Sequence, residues 1–276
     1  MKTIRERLLQ EMQFRNYSPR TVATYLSCLT GLSKRYNESL DKIDLERVKA
    51  FLHHSVLNGC SVSFVNQTIG AVKVLHEGVL KRRWEPLSIK RPRREKKLPI
   101  ILSQQEVKSI VTILPNLKHR SILTLGYSAG LRISEVINLK VNHIDSSRMQ
   151  IRVVGAKGKK DRYTVLSIST LDLLRNYYKM YQPKDWLFSG MKPTSQYSVS
   201  SIRKILKRAC EKTRINKKIS YHTLRHCFAT HLLEQGTSIQ IIQQLLGHAN
   251  IRTTSIYLHV QQYKLDQVIS PMDIEL

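Results

Sequence analysis

A basic, proline-containing stretch about one third of the way along the chain limits the fold more than any other feature of the sequence. Residues 89–99 read IKRPRREKKLP, with two prolines and six basic residues. Such a stretch has too few apolar side chains to join a packed core, and prolines interrupt regular secondary structure. We therefore expect an extended linker over 89–99, one folded domain over 1–88 and a second over 100–276.

The first domain is predicted to be a small helical bundle, because apolar residues recur there at helical spacing. Ser18–Pro19 and Asp44 are residue types that begin helices. The last predicted helix of the bundle spans Val62–Leu80. The apolar residues that carry this periodicity are Ile4, Leu8, Leu9 and Met12; Val22, Tyr25, Leu26 and Leu29; Val48, Phe51 and Leu52; and Val65, Ile69, Val72 and Leu75.

The second domain is predicted to be mostly helical with one small β-hairpin. Residues Met149–Val154 and Arg162–Ile168 are rich in β-branched side chains and flank a glycine-containing turn at 155–160, which is typical of a hairpin. The predicted helices cover Ser103–Leu114, Ile122–Tyr127, Leu171–Tyr181, Val199–Thr213, Leu224–Gln235 and Ile239–Leu246. The expected fold class is mainly α with a small β-hairpin or sheet, an α+β arrangement in the second domain.

The balance of charges indicates a polyanionic partner. Lys and Arg number 46 against 20 Asp and Glu, a formal net charge of +26, whereas solubility of a small domain needs a net charge of only about 2–8. Residues 1–99 carry +11 and residues 100–276 carry +15. Both domains are therefore expected to face nucleic acid. By itself the 89–99 run would be interpreted as a solvated spacer or a localisation signal. Because it lies between two cationic domains, we favour an extended segment that crosses the DNA backbone.

The sequence favours a cytoplasmic protein without a membrane segment. Four cysteines occur and none forms a C-x-x-C pair, which is typical of reduced thiols. The first fifteen residues are charged throughout and lack the apolar stretch of a signal peptide. The longest weakly polar run, Ser121–Leu131, is too short to span a bilayer.

Four short segments contain the residue types that phosphate chemistry uses. They are Ala129–Glu135, His222–His226, Leu245–His248 and Thr253–Leu258. Taken singly, each has an ordinary alternative. Arg132 and Glu135 could form a surface ion pair, His248 could be structural, and Tyr257 could be a packed aromatic residue.

A metal site is the alternative for the second segment. His222 and His226 have the spacing of zinc ligands on one helical face. Arg225 lies between them, no acidic ligand is near, and the general-base glutamate of a metalloprotease motif is missing. We therefore predict no metal.

The blocks GLRISE, HTLRH and LGH, followed nine residues later by Tyr257, resemble the tyrosine recombinase (phage integrase) family in its Xer-like, simple integrase form. The first domain, with its SPRT segment at 18–21, is similar to the core-binding domain of that family. The resemblance implies a two-domain, C-shaped clamp on DNA. It also implies a site-specific recombinase that cleaves and rejoins strands through a covalent 3′-phosphotyrosine and a Holliday junction.

The resemblance further implies a role for each candidate catalytic residue. Arg132 and Arg225 would hold the non-bridging oxygens of the scissile phosphate, and Tyr257 would be the nucleophile. Lys157, on the hairpin turn, would protonate the leaving 5′-oxygen as general acid. Three residues would assist proton transfer, bind the phosphate or orient the site: His222, His248 and Glu135. Five residues would contact DNA: Arg20, Lys90, Arg91, Lys159 and Lys160.

The same resemblance sets the expected partners. No cofactor and no small-molecule substrate is expected, because the phosphotyrosine preserves the energy of the broken ester. The expected partner is double-stranded DNA with two inverted half-sites, bound by a homotetramer or heterotetramer. Residues 268–276 would either dock on a neighbouring protomer or fray. No arm-binding domain is expected ahead of residue 1.

Two other functions fit the composition. One is a type IB topoisomerase-like enzyme, which uses similar residues without strand exchange, and the other is a non-enzymatic DNA-binding regulator. Tyr263 is a rival nucleophile, but it does not match the family spacing. The sequence leaves open whether the reaction serves integration, excision, inversion or the resolution of dimers.

Overall fold

A computed structural model of the chain describes residues 3–84, 98–155, 161–192 and 194–259. The chain divides into two compact units, Met1–Lys96 and Lys97–Leu276, and the boundary falls within the stretch predicted as a linker. Several predictions lie outside the described residues: linker positions 89–97, Lys90, Arg91, Lys157, Lys159, Lys160 and segment 268–276. None of the described helices combines the length and the apolar character that a membrane span requires.

The first unit is a helical bundle, as predicted. Its helices are α1 (Ile4–Phe14), α2 (Pro19–Tyr36), α3 (Leu45–Leu57) and α4 (Val62–Val74). A polar side chain caps each helix by accepting a hydrogen bond from a backbone N–H of the first turn. The four caps are Thr3, Ser18, Asp44 and Ser61. Apolar residues at the predicted helical spacing, such as Leu8, Met12, Leu29 and Val72, fill the core.

The helix predicted over Val62–Leu80 changes type before it ends. It is an α-helix to Val74 and continues as a π-helix over Leu75–Leu80. This wider turn packs against α1, where Arg7 donates a hydrogen bond to the Val79 carbonyl. The contact satisfies one of the carbonyls that a helix end leaves without an intrahelical partner.

The second unit is mainly helical, which confirms the predicted class. Its helices are α5 (Gln104–Thr112), α6 (Leu117–Ser128), α7 (Ile133–Ile137), α8 (Ile168–Tyr181), α9 (Val199–Thr213), α10 (Tyr221–Glu234) and α11 (Ile239–Leu246). Three of them, α6, α8 and α10, begin three to five residues earlier than predicted. Asn116 and Ser167 cap the starts of α6 and α8, and the first turns that follow are too polar to show the apolar periodicity.

A three-stranded antiparallel sheet includes the predicted hairpin. Strands β1 (Ile144–Asp145), β2 (Gln150–Val153) and β3 (Arg162–Val165) pair in the order β1-β2-β3, with Ile151 opposite Thr164. The sequence predicted β2 and β3 but not β1, because a two-residue strand is too short to show alternation. The sheet brings Arg162 to the start of β3.

Helices α6 and α10 form the centre of the second unit. Ile122, Leu125, Leu224 and Cys227 are fully buried in its main apolar cluster. A second cluster, around Phe228, Leu246 and Tyr257, lies along the C-terminal half of α10. Residues of α10 therefore reach both the main core and the short segment that carries Tyr257.

Candidate active site

Six of the predicted site residues lie in the described part of the second unit, and α10 lies at their centre. Arg132 and Glu135 stand at the start of α7, His222 and Arg225 on α10, His248 directly after α11, and Tyr257 in a 3-10 helix over Ser255–His259. Arg20 is exposed on α2 in the first unit. The five predicted lysine and arginine positions of the linker and the hairpin turn lie outside the described residues.

Glu135 is the acidic centre of the site. Its carboxylate accepts hydrogen bonds from Arg162 Nη1 at 2.7 Å and Nη2 at 2.9 Å, and from Arg132 Nη1 at 2.7 Å. The backbone N–H of Arg132 donates to it at 2.8 Å. Burial raises the pKa of Glu135, but the hydrogen bonds and charges of Arg162 and Arg132 outweigh burial and lower the pKa to about 2. Glu135 is therefore ionised at neutral pH and fixes both guanidiniums.

Arg225 is fully buried, at 0% exposure. Its Nη1 donates to the Gly130 carbonyl at 2.7 Å and its Nη2 donates to the Leu246 carbonyl at 2.5 Å. Glu135 Oε2 lies 3.7 Å from Nη1. Nε has no hydrogen-bond partner among the described residues. Burial and the charge of Arg132 lower the pKa of Arg225 to about 9, which leaves it cationic at neutral pH.

His248 is held between Arg225 and Thr254. Arg225 Nη2 lies 3.1 Å from His248 Nε2, and Thr254 Oγ1 lies 2.9 Å from His248 Nδ1. A guanidinium can only donate, so Nε2 accepts, and Nδ1 carries the proton that it donates to Thr254. Burial, followed by the charges of Arg225 and Arg132, lowers the pKa of His248 to about 3. The imidazole is neutral, in one tautomer.

Tyr257 is only 2% exposed. Its phenolic oxygen lies 3.0 Å from Nδ1 of His226, and the two ring centroids are 5.6 Å apart. Burial raises the pKa of Tyr257 to about 12, although the charges of Arg225 and Arg132 act in the opposite direction. The phenol is therefore protonated in the resting site, within the electrostatic influence of two guanidiniums.

His222 and His226 pack against each other on α10. Their ring centroids are 4.4 Å apart with the rings edge to face. No group of three potential ligand side chains from His, Cys, Asp and Glu lies together in the part of the chain that the structure describes. Desolvation, followed by the charge of Arg225, lowers the pKa of His222 below its usual range. The pKa of His226 is also lowered, to about 4, so the two imidazoles are neutral at pH 7.

The second unit thus combines a phenol, fixed guanidiniums and neutral imidazoles, which together suit phosphoryl transfer. Residues 101–264 match the Phage integrase family, and residues 4–86 match the N-terminal SAM-like domain of phage integrases. The chain belongs to the phage integrase family. The first of these matches lies within the second compact unit, and the other lies within the first unit.

Two named relatives of this phage integrase family member are tyrosine recombinases. It is 36% identical to tyrosine recombinase XerA of Pyrococcus horikoshii, in a match that covers 86% of this chain and 83% of XerA. It is 30% identical to tyrosine recombinase XerD of Staphylococcus aureus, with 96% of each chain covered. The relatives support a tyrosine-type site-specific recombinase over a topoisomerase-like enzyme or a regulator.

A solved structure shows the same fold. The XerH site-specific recombinase, determined in a post-cleavage complex with its palindromic difH substrate, superposes on this chain with a TM-score of 0.74. The match covers 96% of this chain and 83% of XerH at 20% identity. The fold therefore persists at low sequence identity.

Three residues of this recombinase's site are absent from the sequence-based set of site residues. They are Arg162, which binds Glu135; His226, which contacts Tyr257 and was considered only as a zinc ligand; and Thr254, which binds His248. The spacing of four residues between His222 and His226 is the signal that could have identified His226. Arg162 has no local motif, because its partner is 27 residues away in the sequence.

Two glycines of the integrase fold allow the site segments to approach each other. Gly130 and Gly247 have φ of +59° and +63°. A Cβ at Gly130 would overlap the ring of Phe228 and lie 3.1 Å from Leu246 Cδ2, and one at Gly247 would lie 2.6 Å from Arg162 Cδ. We expect either alanine substitution to lower the free energy of unfolding by at least about 2 kcal/mol, measured by urea denaturation. Equal stability of both variants and the unsubstituted recombinase would contradict this.

The lowered pKa of His248 predicts how the free energy of unfolding of the recombinase depends on pH. Its folded pKa of about 3 lies far below the usual value of 6.5, so the unfolded chain binds the proton first as the pH falls. Stability is therefore lost progressively below pH 6.5, towards pH 3. We expect His248→Asn to reduce the slope of unfolding free energy against pH by up to about 1.4 kcal/mol per pH unit between pH 6 and 4.5. Parallel slopes for the two proteins in urea titrations would contradict it.

Proposed function

We propose that Tyr257 is the nucleophile with which this recombinase cuts a DNA strand, leaving the 3′-phosphate of that strand on the phenolic oxygen. One observation supports this assignment above others. The phenolic oxygen contacts His226 on α10, the residue directly after Arg225, and the charges of Arg225 and Arg132 act to lower its pKa. A phenol at its ordinary pKa is a weak nucleophile at neutral pH, and neighbouring cations favour its ionised form.

The two arginines would stabilise the charge that develops on the phosphate. The non-bridging oxygens gain negative charge in the transition state, and forked guanidinium donors match them in geometry. Arg132 has a side chain that is 21% exposed, so a phosphate reaches it from solvent. Arg225 offers its unpartnered Nε–H. Glu135 fixes Arg132 and limits its motion, which orients the pocket.

DNA binding would also have to uncover the site. Arg225 and Tyr257 are almost inaccessible to solvent in the DNA-free chain. Both Nη groups of Arg225 are engaged with backbone carbonyls, and one of them also with His248. We propose that a phosphate opens this site locally, far enough to reach Nε of Arg225. The resting chain would thus protect its nucleophile until a phosphate is bound.

Further roles follow from the family pattern. Lys157 would be the general acid for the leaving 5′-oxygen, and His222 and His248 would bind the scissile phosphate or assist proton transfer. Exposed Arg20 would contact the DNA backbone from the first unit. The same role is proposed for the predicted basic residues Lys90, Arg91, Lys159 and Lys160.

We also propose the DNA-bound assembly. Both parts of the chain are cationic, which suits contact with DNA by each unit. The XerH recombinase was solved on a palindromic substrate, which supports a site of two inverted half-sites. Four protomers would join two such sites and exchange strands through a Holliday junction. The two units would be the core-binding domain and the catalytic domain.

A nicked substrate tests the proposed chemistry. A duplex selected for binding from random sequence would be nicked so that the short cleaved end diffuses away. We expect a covalent adduct that survives denaturing electrophoresis, and a four-way junction when two labelled intact duplexes are mixed with the protein. Relaxation of supercoiled DNA without a junction would favour a topoisomerase-like enzyme, and binding without any adduct would favour a regulator.

A further inference from the structure

His226 occupies a position in the site that the roles proposed above do not use. It lies one turn after His222 on α10, and its Nδ1 is 3.0 Å from the phenolic oxygen of Tyr257. Its ring is half-buried and packs against the rings of both His222 and Tyr257. His226 is thus in direct contact with the proposed reacting atom.

The other imidazoles of the site lack this contact. Both ring nitrogens of His248 are engaged, Nε2 by Arg225 and Nδ1 by Thr254. The ring of His222 packs at 73° to the ring of His226, and His222 makes no hydrogen bond to Tyr257 in the part of the chain that the structure describes. Among the described residues, His226 is therefore the imidazole placed to receive the phenolic proton.

We propose that His226 accepts the proton of Tyr257 when the tyrosine attacks the scissile phosphorus. The inference rests on the proposed role of Tyr257 as nucleophile. The bond between Tyr257 Oη and phosphorus forms, the bond between phosphorus and the 5′-oxygen breaks, and the phenolic proton moves to His226 Nδ1. The leaving 5′-oxygen takes a proton from a separate acid, for which Lys157 is the candidate.

Rejoining reverses each transfer. The 5′-hydroxyl attacks phosphorus and gives its proton to the neutral form of that acid. Tyr257 Oη leaves phosphorus and recovers its proton from the His226 imidazolium. The two proton transfers balance in each direction, so the cycle of cutting and rejoining needs no external oxidant, reductant or co-reactant.

The protonation state of His226 suits this role. Burial, followed by the charges of His222 and Arg225, lowers the pKa of His226 to about 4, so the ring is neutral at pH 7. In the tautomer that carries its proton on Nε2, Nδ1 can accept the phenolic proton. A weakly basic imidazole is sufficient, because a phenol becomes much more acidic as its oxygen bonds to phosphorus. General acid–base transfer of this kind typically contributes about 10²–10⁴ in rate.

The test combines two substitutions with a more acidic nucleophile. His226→Ala removes the acceptor, whereas His226→Asn can accept a hydrogen bond but not a proton. We expect both variants to cleave the nicked substrate about 10²-fold more slowly under single-turnover conditions, with DNA affinity unchanged. A fluorinated tyrosine at position 257 has a lower phenol pKa. In the His226 variants we expect it to raise the cleavage rate at least about tenfold.

The same helix provides a matched control. His231 on α10 has Nδ1 2.9 Å from the phenolic oxygen of Tyr127, and its Nε2 lies 3.0 Å from the Leu102 carbonyl. His231→Asn removes a similar imidazole–phenol contact that is not part of the proposed site. We expect it to lower the melting temperature and to leave the single-turnover cleavage rate of the folded protein unchanged.

Each outcome decides the proposal. Full cleavage activity of His226→Asn together with slow cleavage by His226→Ala would show that His226 only positions Tyr257. That result would overturn the proposal that His226 accepts the phenolic proton. So would a slow His226→Asn that the fluorinated tyrosine does not rescue. If the unsubstituted protein forms no adduct at all, the proposed role of Tyr257 fails with it. If the adduct forms equally fast in every variant, only the role of His226 fails.

A second measurement needs no substitution and covers the case in which the variants do not fold. A DNA substrate with sulfur in place of the bridging 5′-oxygen has a leaving group that needs no proton. A normal solvent deuterium isotope effect on cleavage of this substrate by the unsubstituted protein is expected, because the remaining transferred proton is that of Tyr257. The absence of an isotope effect there would overturn the proposal.

Discussion

Replacing Tyr257 with phenylalanine is expected to abolish the covalent protein–DNA adduct and to slow cleavage about 10⁶-fold, the effect expected when a nucleophile is removed from a catalytic unit. The change deletes one oxygen atom and keeps the ring in its apolar cluster with Phe228 and Leu246. Loss of the hydrogen bond to His226 costs about 1 kcal/mol. The fold therefore survives while the chemistry is lost.

The measurement for this variant is adduct formation on the nicked substrate, followed by denaturing electrophoresis. Tyr178→Phe is the matched control, because Tyr178 is a 47% exposed residue on α8 that is not part of the proposed site. We expect the control to form the adduct at the normal rate. Strand breakage by Tyr257→Phe at a comparable rate would show that another residue attacks the phosphate.

Replacing Arg225 with lysine is expected to have the next largest effect, on both stability and rate. A lysine ammonium cannot reach the Gly130 and Leu246 carbonyls and His248 Nε2 together, as the guanidinium does. One or two buried acceptors would lose their donors, at about 1–3 kcal/mol each. Loss of one forked donor to the transition state would further slow cleavage about 10²–10³-fold.

Urea denaturation and single-turnover cleavage separate the two effects of this substitution. Arg175→Lys provides the control, since Arg175 is an exposed residue of α8 whose pairing with Asp172, at 3.6 Å, is a surface contact. Such a pair contributes at most about 1 kcal/mol. An Arg225→Lys protein with unchanged stability and unchanged rate would contradict the assignment of Arg225 as an internal anchor and phosphate ligand.

Much of the fold follows from local patterns in the sequence. Ser18, Asp44 and Ser103 begin helices where their side-chain chemistry predicts, and helix α9 has the predicted bounds. Strand β1 and the π-helix over Leu75–Leu80 were not predicted. A two-residue strand has no periodicity, and the apolar spacing does not distinguish a π-turn from an α-turn.

The sequence predicts residues of the proposed site but not the contacts between them. The motif blocks predict Arg132, Arg225 and Tyr257 as site residues. In the structure Glu135 lies against both arginines, and Tyr257 contacts His226, the residue after Arg225.

The motif blocks do not reveal that Arg225 is buried and donates hydrogen bonds to two backbone carbonyls. These bonds depend on how the segments at Gly130 and Leu246 pack. Tertiary contacts of this kind have no signature in short sequence segments.

The most direct test of the account is to identify the amino acid that becomes joined to DNA. Trypsin cleavage of the trapped complex after Arg252 gives a peptide over residues 253–264 that contains both Tyr257 and Tyr263. Fragmentation by mass spectrometry is expected to place the nucleotide on Tyr257, joined through the 3′-phosphate of the cut strand. A nucleotide on Tyr263, or a link through a 5′-phosphate, would contradict the proposed mechanism.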